Sequence, residues 1–181
     1  MYRTGKIQQI IFVLLFTIAL ISPARIHAQD YVPPSNPGLE LLKWAGEHFP
    51  YPQWTLSLLT NADGAYATWE TVDPYPIVIF YQMQFAAYNY TGDEISAFVD
   101  DAWIQATVVN YEGWRELERC TNATHLVVLL NSVSDEYKYK SRMWFWSDGR
   151  RFHLIFITFP IDQSADMEAF ADDFFPELPR C

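Results

Sequence analysis

Two runs between Lys138 and Pro160 constrain this chain more than anything else in it. Lys138–Trp146 and Arg151–Phe159 both alternate along their length, and Asp148-Gly149 stands between them. An Asp-Gly pair between such runs is a strong hairpin signal, because a type I′ turn needs positive φ at both central positions. A two-residue loop at Asp148-Gly149 sets Phe145 opposite Phe152, Met143 opposite Leu154, Ser141 opposite Phe156 and Tyr139 opposite Thr158. That face is mostly apolar and belongs in a core. The other face mixes Trp144, Trp146, Ile155, Ile157 and Phe159 with Lys138, Lys140, Arg142, Arg151 and His153. Side chains in a strand alternate with a period of two, so a slip of one residue would exchange the faces, and the pattern fixes which is which.

Large apolar residues on both faces require cover on both sides, and the chain supplies helices for it. Thr91-Gly-Asp93-Glu94 is a capping box, in which the Thr hydroxyl and the Glu carboxylate satisfy otherwise unpaired amide groups. Ile95, Phe98, Val99, Ala102, Trp103 and Ala106 follow at helical spacing, so a helix is expected over 91–106, with Asp100-Asp101 on its solvated side. A terminal helix is expected over Asp166–Phe175, with Met167, Phe170, Ala171, Phe174 and Phe175 on one face and Pro176 ending it. A shorter helix is expected between Pro37 and Ala45, stopping before Pro50. Strands are expected at Trp54–Leu59, Ala65–Val72, Ile77–Phe85 and Trp114–Arg119, with turns at 61–64 and 73–76. His125–Ser134 opens on a nearly continuous apolar run and reads as a central strand covered on both faces. The expected fold class is α+β: one domain with a mostly antiparallel sheet of about six to seven strands and helices packed on its faces.

The first residues read differently. Arg3 and Lys6 precede an apolar run, Ile10–Ile21, which Ser22-Pro23 breaks before Ile26-His27-Ala28. This is the pattern of a secretory signal peptide, and the run is short of the roughly 20 residues a membrane span requires. The expected organisation is a signal peptide over 1–28, an extended arm over 29–36 and a single α/β domain over 37–181, secreted or periplasmic. Cleavage after Ala28 removes three of the 12 basic residues and none of the 22 acidic ones, deepening the formal charge from −10 to −13. Such an excess repels phosphate backbones and excludes nucleic acid as a partner. In an oxidising compartment Cys120 and Cys181 are expected to pair, the alternative being a free reactive thiol.

The C-terminal half resembles a known group. A strand, an Asp-Gly turn, a long aromatic strand ending in Thr-x-Pro, a short spacer and a Phe-rich helix (Met143–Phe175) resemble the PsbP-like superfamily, as does Pro52-Gln53-Trp54 at the start of the first strand. The Pro37–Ala45 helix and the cysteine pair depart from that pattern. The resemblance implies a secreted or lumenal α/β sandwich that binds or assembles rather than catalyses, and it carries over no catalytic residue.

The residues themselves point the same way. The chain holds no G-x-S-x-G, Walker, Rossmann or H-E-x-x-H pattern. His48, His125 and His153 lack partners at metal-ligand spacing, so no metal or other cofactor is expected. Tentative binding residues are Trp144, Trp146, His153, Arg142 and Arg151, since aromatics beside Lys140 and Arg142 make the best exposed aromatic-basic surface in an acidic protein. The expected function is an exported, non-catalytic domain that binds a protein or small ligand. The alternatives are a hydrolase using His153 or His125 with carboxylates such as Glu116 and Glu118 on one strand face, and a carbohydrate-binding module with Trp144, Trp146 or Trp114 in an exposed row. Asn89-Tyr-Thr91 and Asn122-Ala-Thr124 are glycan acceptors only in a eukaryote.

Overall fold

The computed structural model describes residues 55–61, 64–71, 77–108, 111–134, 137–149 and 151–181. The expected signal peptide, extended arm, Pro37–Ala45 helix, His48 and the 73–76 breaker lie outside the described residues.

Seven strands form one antiparallel sheet: β1 (Thr55–Asn61), β2 (Gly64–Glu70), β3 (Val78–Phe85), β4 (Gly113–Thr121), β5 (His125–Ser134), β6 (Tyr137–Asp148) and β7 (Arg151–Pro160). Their order across the sheet is β1-β2-β3-β7-β6-β5-β4. Helices α1 (Gly92–Phe98) and α2 (Asp101–Thr107) connect β3 to β4, and α3 (Ser164–Phe174) follows β7 through a short 3₁₀ turn, Ile161–Gln163. This is the α+β architecture expected, with the β6–β7 hairpin at its centre.

Alternation along the strands sorts the core into two layers. Ile95, Val99, Ile104 and Val108 of the connecting helices pack on Leu126, Val128, Leu130, Met143, Phe145, Leu154 and Phe156. Met167, Ala171, Phe175 and Leu178 pack on Trp144, Ile155, Ile157 and Phe159 of the opposite face. The β6–β7 register differs from the expected one by two residues: Phe145 pairs with Leu154, Met143 with Phe156, Ser141 with Thr158 and Tyr139 with Pro160. A two-residue shift conserves the period of two, so every side chain stays on its expected face. The turn moves one position on because Asp148 remains in the strand opposite Arg151, its carboxylate 3.2 Å from the guanidinium, while Gly149 takes a φ of 60°. Phe145 and Phe152 become diagonal neighbours with ring centroids 6.4 Å apart. Strand β5 is covered on both faces as expected but lies next to the edge, with β4 outside it.

The expected 91–106 helix is two helices. The capping box forms as read, with Glu94 Oε2 accepting from the Thr91 amide at 2.8 Å. After Val99, however, Asp100 is extended (φ −86°, ψ −178°) and its carboxylate accepts from the Trp103 amide at 2.8 Å. Asp100 thus starts α2 as its N-cap instead of decorating the side of a continuous helix. Asp100→Ala is expected to cost about 1 kcal/mol in denaturant unfolding, and Asp100→Asn much less, because only the second keeps an acceptor at the cap. Gly92 lets α1 approach the β4–β5 turn, since a Cβ there would collide with the carbonyl oxygens of Asn122 and His125. Asn122 builds that turn, its Oδ1 accepting from the amides of Thr124 and His125 at 2.9 and 2.8 Å.

A bulge between Glu116 and Glu118 alters β4 in a way the alternation hid. Glu116 pairs with Leu130 and Glu118 with Leu129, which point to opposite faces, so the two carboxylates are not on one face. Leu117, between them, is 40 % exposed. The bulge also puts Glu116 and Arg119 on the same side, where both Arg119 Nε and Nη2 donate to the Glu116 carboxylate. Arg119 Nη1 donates to the Val99 carbonyl at 2.9 Å, closing the C-terminus of α1.

Candidate functional site

Arg142, Trp144, Trp146, His153 and Arg151 do share one face of the β6–β7 hairpin, but different cover divides them. Trp144 pairs with Val127 of β5, which pairs with Cys120 of β4, so the disulfide stands in the same cross-strand row as Trp144. Cys120 and Cys181 are bonded, with Cα atoms 5.6 Å apart. That bond holds residues 175–181 across the row. The Trp144 indole N–H donates to the Pro179 carbonyl at 2.8 Å, and its ring packs on Phe175 with centroids 5.7 Å apart. The guanidiniums of Arg142 and Arg180 lie 5.6 and 5.5 Å from the Trp144 ring centroid, within cation–π range. Arg142 pairs with Glu168 of α3 at 2.7 Å, Lys140 reaches the same carboxylate at 3.3 Å, and Arg180 pairs with Asp172 at 2.7 Å.

Trp144 is fully buried, and Arg142 is 8 % exposed. The exposed aromatic-basic surface expected around them is closed over by α3 and the tail. The flat tryptophan row is also absent. Trp114 lies on the opposite face, where its indole N–H donates to Gln105 at 2.7 Å.

Nearer the turn, His125, Trp146, His153, Met83 and Ala65 form a row across five strands. Four rings lie nearly parallel in and beside this row. Trp146 stacks on His153 with centroids 4.7 Å apart and planes within 9°, and His125 stacks on the other side of Trp146 at 6.0 Å. Tyr81, two residues along β3 from Met83, stacks on His153 at 5.9 Å and shares a 2.7 Å hydrogen bond between its hydroxyl and His153 Nδ1. Burial, with a smaller push from Arg151 and partial opposition from Asp148, lowers the His153 pKa to about 4. The imidazole is therefore neutral at pH 7, and its buried Nε2 has no hydrogen-bond partner among the described residues. Burial also lowers the pKa of His125, whose Nδ1 is 2.7 Å from the Thr124 hydroxyl.

The accessible part of this cluster is a rim: half-buried Trp146 and His125, with Arg151 beside them. It offers the part of Trp146 that His153 and His125 leave uncovered, the neutral His125 imidazole and the Arg151 guanidinium, which also pairs with Asp148. Proton transfer at neutral pH would need a base at hand, and His153 is 5 % exposed with Nδ1 already engaged. Among the described residues, no three His, Cys, Asp or Glu side chains come together to hold a metal. In an open depression on the opposite face, lined by Ser96, Asp100, Asp101, Glu116 and Arg119, Asp100 caps α2, Arg119 closes α1 and Glu116 pairs with Arg119.

Tyr81 and Glu168 escaped the sequence reading. The alternation of Ile79, Tyr81 and Met83 along β3 signals that Tyr81 faces inward. Pairing it with His153 requires the β3–β7 register, which no local pattern encodes.

No protein-family model matches the chain, and no curated protein matches it. Among solved structures it is similar to LpqN, involved in cell envelope biogenesis of Mycobacterium tuberculosis. The identity is 14 % and the TM-score 0.36, over 70 % of this chain and 84 % of that one.

Proposed function

We propose that this chain is an extracytoplasmic, non-catalytic α+β domain of PsbP-like kind that binds a partner through the hairpin-turn end of its sheet. The Cys120–Cys181 disulfide carries the proposal. Thiol-reducing systems keep such pairs open in the cytosol of ordinary cells, whereas secreted and periplasmic proteins retain them. The Arg3–Ala28 pattern supports the same destination. No helix among the described residues is long and apolar enough to cross a membrane. The binding surface is the Trp146–His125–Arg151 rim, and its chemistry suits an acidic or aromatic partner. The stack beneath the rim holds Trp146 in one orientation, which lowers the entropy lost on binding.

Two measurements test the proposal. Expression of the full chain in cells with an oxidising export compartment should give an exported product with the mass of residues 29–181 less two hydrogens. Full-length protein in the cytoplasm with two titratable thiols would overturn the destination. A photo-reactive residue at position 146 should give a discrete cross-linked adduct in the native compartment, and its absence would remove the binding surface.

A further inference from the structure

One face of β2 and β3 is sealed, yet no described element lies over β2. Ala67 and Ile79 have no exposed surface, and Ala65, Trp69, Tyr81 and Met83 keep 5 % or less. They share a face, since Ala65 pairs with Met83, Ala67 with Tyr81 and Trp69 with Ile79. It is the face on which α3 packs, but α3 sits over Trp144 of β6 and Ile155, Ile157 and Phe159 of β7. Strands lie about 4.8 Å apart and a helix is about 10 Å wide, so α3 reaches over β3 at most and leaves β2 beyond it. The tail runs the other way, to Cys120 of β4, and α1 and α2 cover the opposite face.

Helix α3 turns an aromatic flank toward this area. Glu168 and Asp172 stand on the flank that meets Arg142 of β6 and Arg180 of the tail. Phe170 and Phe174 project from the other flank, toward β3, half-buried and with ring centroids 4.4 Å apart. Trp69, Tyr81, Phe170 and Phe174 each engage a further partner, as they must if one more element lies among them.

We propose that residues 37–45 supply that cover, docking as a helix beside α3 in a groove floored by β2 and β3 and walled by Phe170 and Phe174. The burial selects this occupant: a second copy or a foreign partner would leave Ala67 and Ile79 exposed in a single chain, and they are not. The gaps at 62–63 and 72–76 are connections at the two ends of β2, away from Ala67 at its middle, and the chain before Thr55 remains. Within that part, after the expected signal peptide, Leu39, Leu41, Leu42, Trp44 and Ala45 are the apolar cluster, behind an Asn36 cap and Pro37. The dimensions agree. A helix over 37–45 and the strand from Ala65 to Trp69 are each about 13 Å long. Residues 46–54 can span up to about 30 Å, enough to turn from the helix into β1 at Thr55. Ala65 and Ala67 keep the floor low, leaving room for the larger side chains of the incoming helix.

The test is a photo-reactive residue at position 44 of the full purified protein, its disulfide intact, with the adduct mapped by mass spectrometry. The expected adduct lies within one chain and joins position 44 to residues 65–69, 79–83 or 170–174, at a yield independent of protein concentration. An adduct between two chains, one to any other part of the sheet, or none at all would overturn the proposal. Leu41→Asp made together with Leu42→Asp puts charge on both sides of the apolar cluster and should lower the thermal unfolding midpoint by roughly 10 °C. A midpoint unchanged by the pair would place the segment in solvent and contradict the docking.

Discussion

Replacing Cys120 and Cys181 by alanine, or reducing the bond between them, is expected to destabilise the fold by about 4 kcal/mol. The bond closes a loop between residues 61 apart in sequence, and in the chain-entropy account such a loop removes that much freedom from the unfolded chain. A second contribution lies in the native state. The tail seats Leu178 and the Pro179 carbonyl over the sheet and brings Arg180 onto Trp144. Once released, residues 176–181 fray, and Trp144 loses its hydrogen-bond acceptor. Urea unfolding under oxidising and reducing conditions measures the difference. A change below about 1 kcal/mol would mean that the tail stays seated by packing alone.

Trp144→Ala is expected to cost about 4 kcal/mol, the middle of the range for truncating a large buried aromatic residue. The indole is fully buried, its N–H is satisfied, and the guanidiniums of Arg142 and Arg180 lie 5.6 and 5.5 Å from its ring centroid. Trp144→Phe should cost less, since a ring remains for Phe175 and the arginines while only the Pro179 bond and part of the volume are lost. Trp144→Ala and the cysteine substitutions act on the same tail, so their effects should fall short of additivity by about 1 kcal/mol or more. An exposed, partner-binding Trp144 would instead give a stability change within about 0.5 kcal/mol.

Much of this architecture is written in local pattern. Alternation from Lys138 to Phe159 states that both faces of the hairpin must be covered, and the helical spacing of Met167, Ala171 and Phe175 supplies one cover. What stayed hidden depends on single residues acting against the pattern. Asp100 looks like one more solvated acid on a helix until its carboxylate takes the Trp103 amide and restarts the chain direction. The bulge beside Leu117 turns an apparent one-face pair, Glu116 and Glu118, into residues on opposite sides. The Asp148-Gly149 signal located the turn to within one residue, and the Asp148–Arg151 ion pair favours the alternative.

The site was legible only as a set of residues on one face. Alternation placed Trp144, Trp146, Arg142, His153 and Arg151 together but could not say which the terminal tail would cover. That depends on the disulfide, a contact across 61 residues of sequence. The nature of His153 depends likewise on Tyr81, at a separation of 72. Long-range partners decide whether a polar residue on a sheet is exposed and available or buried and satisfied.

At the turn end of the hairpin face, His153 is a buried, neutral structural member of the stack formed with Tyr81, Trp146 and His125. Its folded pKa, about 4, lies below the ordinary 6.5, so the unfolded chain binds the proton first as pH falls. The stability that neutral His153 contributes is therefore complete above pH 6.5 and is lost as pH drops through the window down to about 4, a loss on the order of 3 kcal/mol. The most direct test follows the His153 imidazole signal by NMR across that window in the folded protein. A signal unchanged down to about pH 5, with its midpoint about 4, is the predicted result. A midpoint at or above the ordinary 6.5 would mean an open, chargeable histidine, contradict the sealed stack, and return His153 to the list of candidate bases.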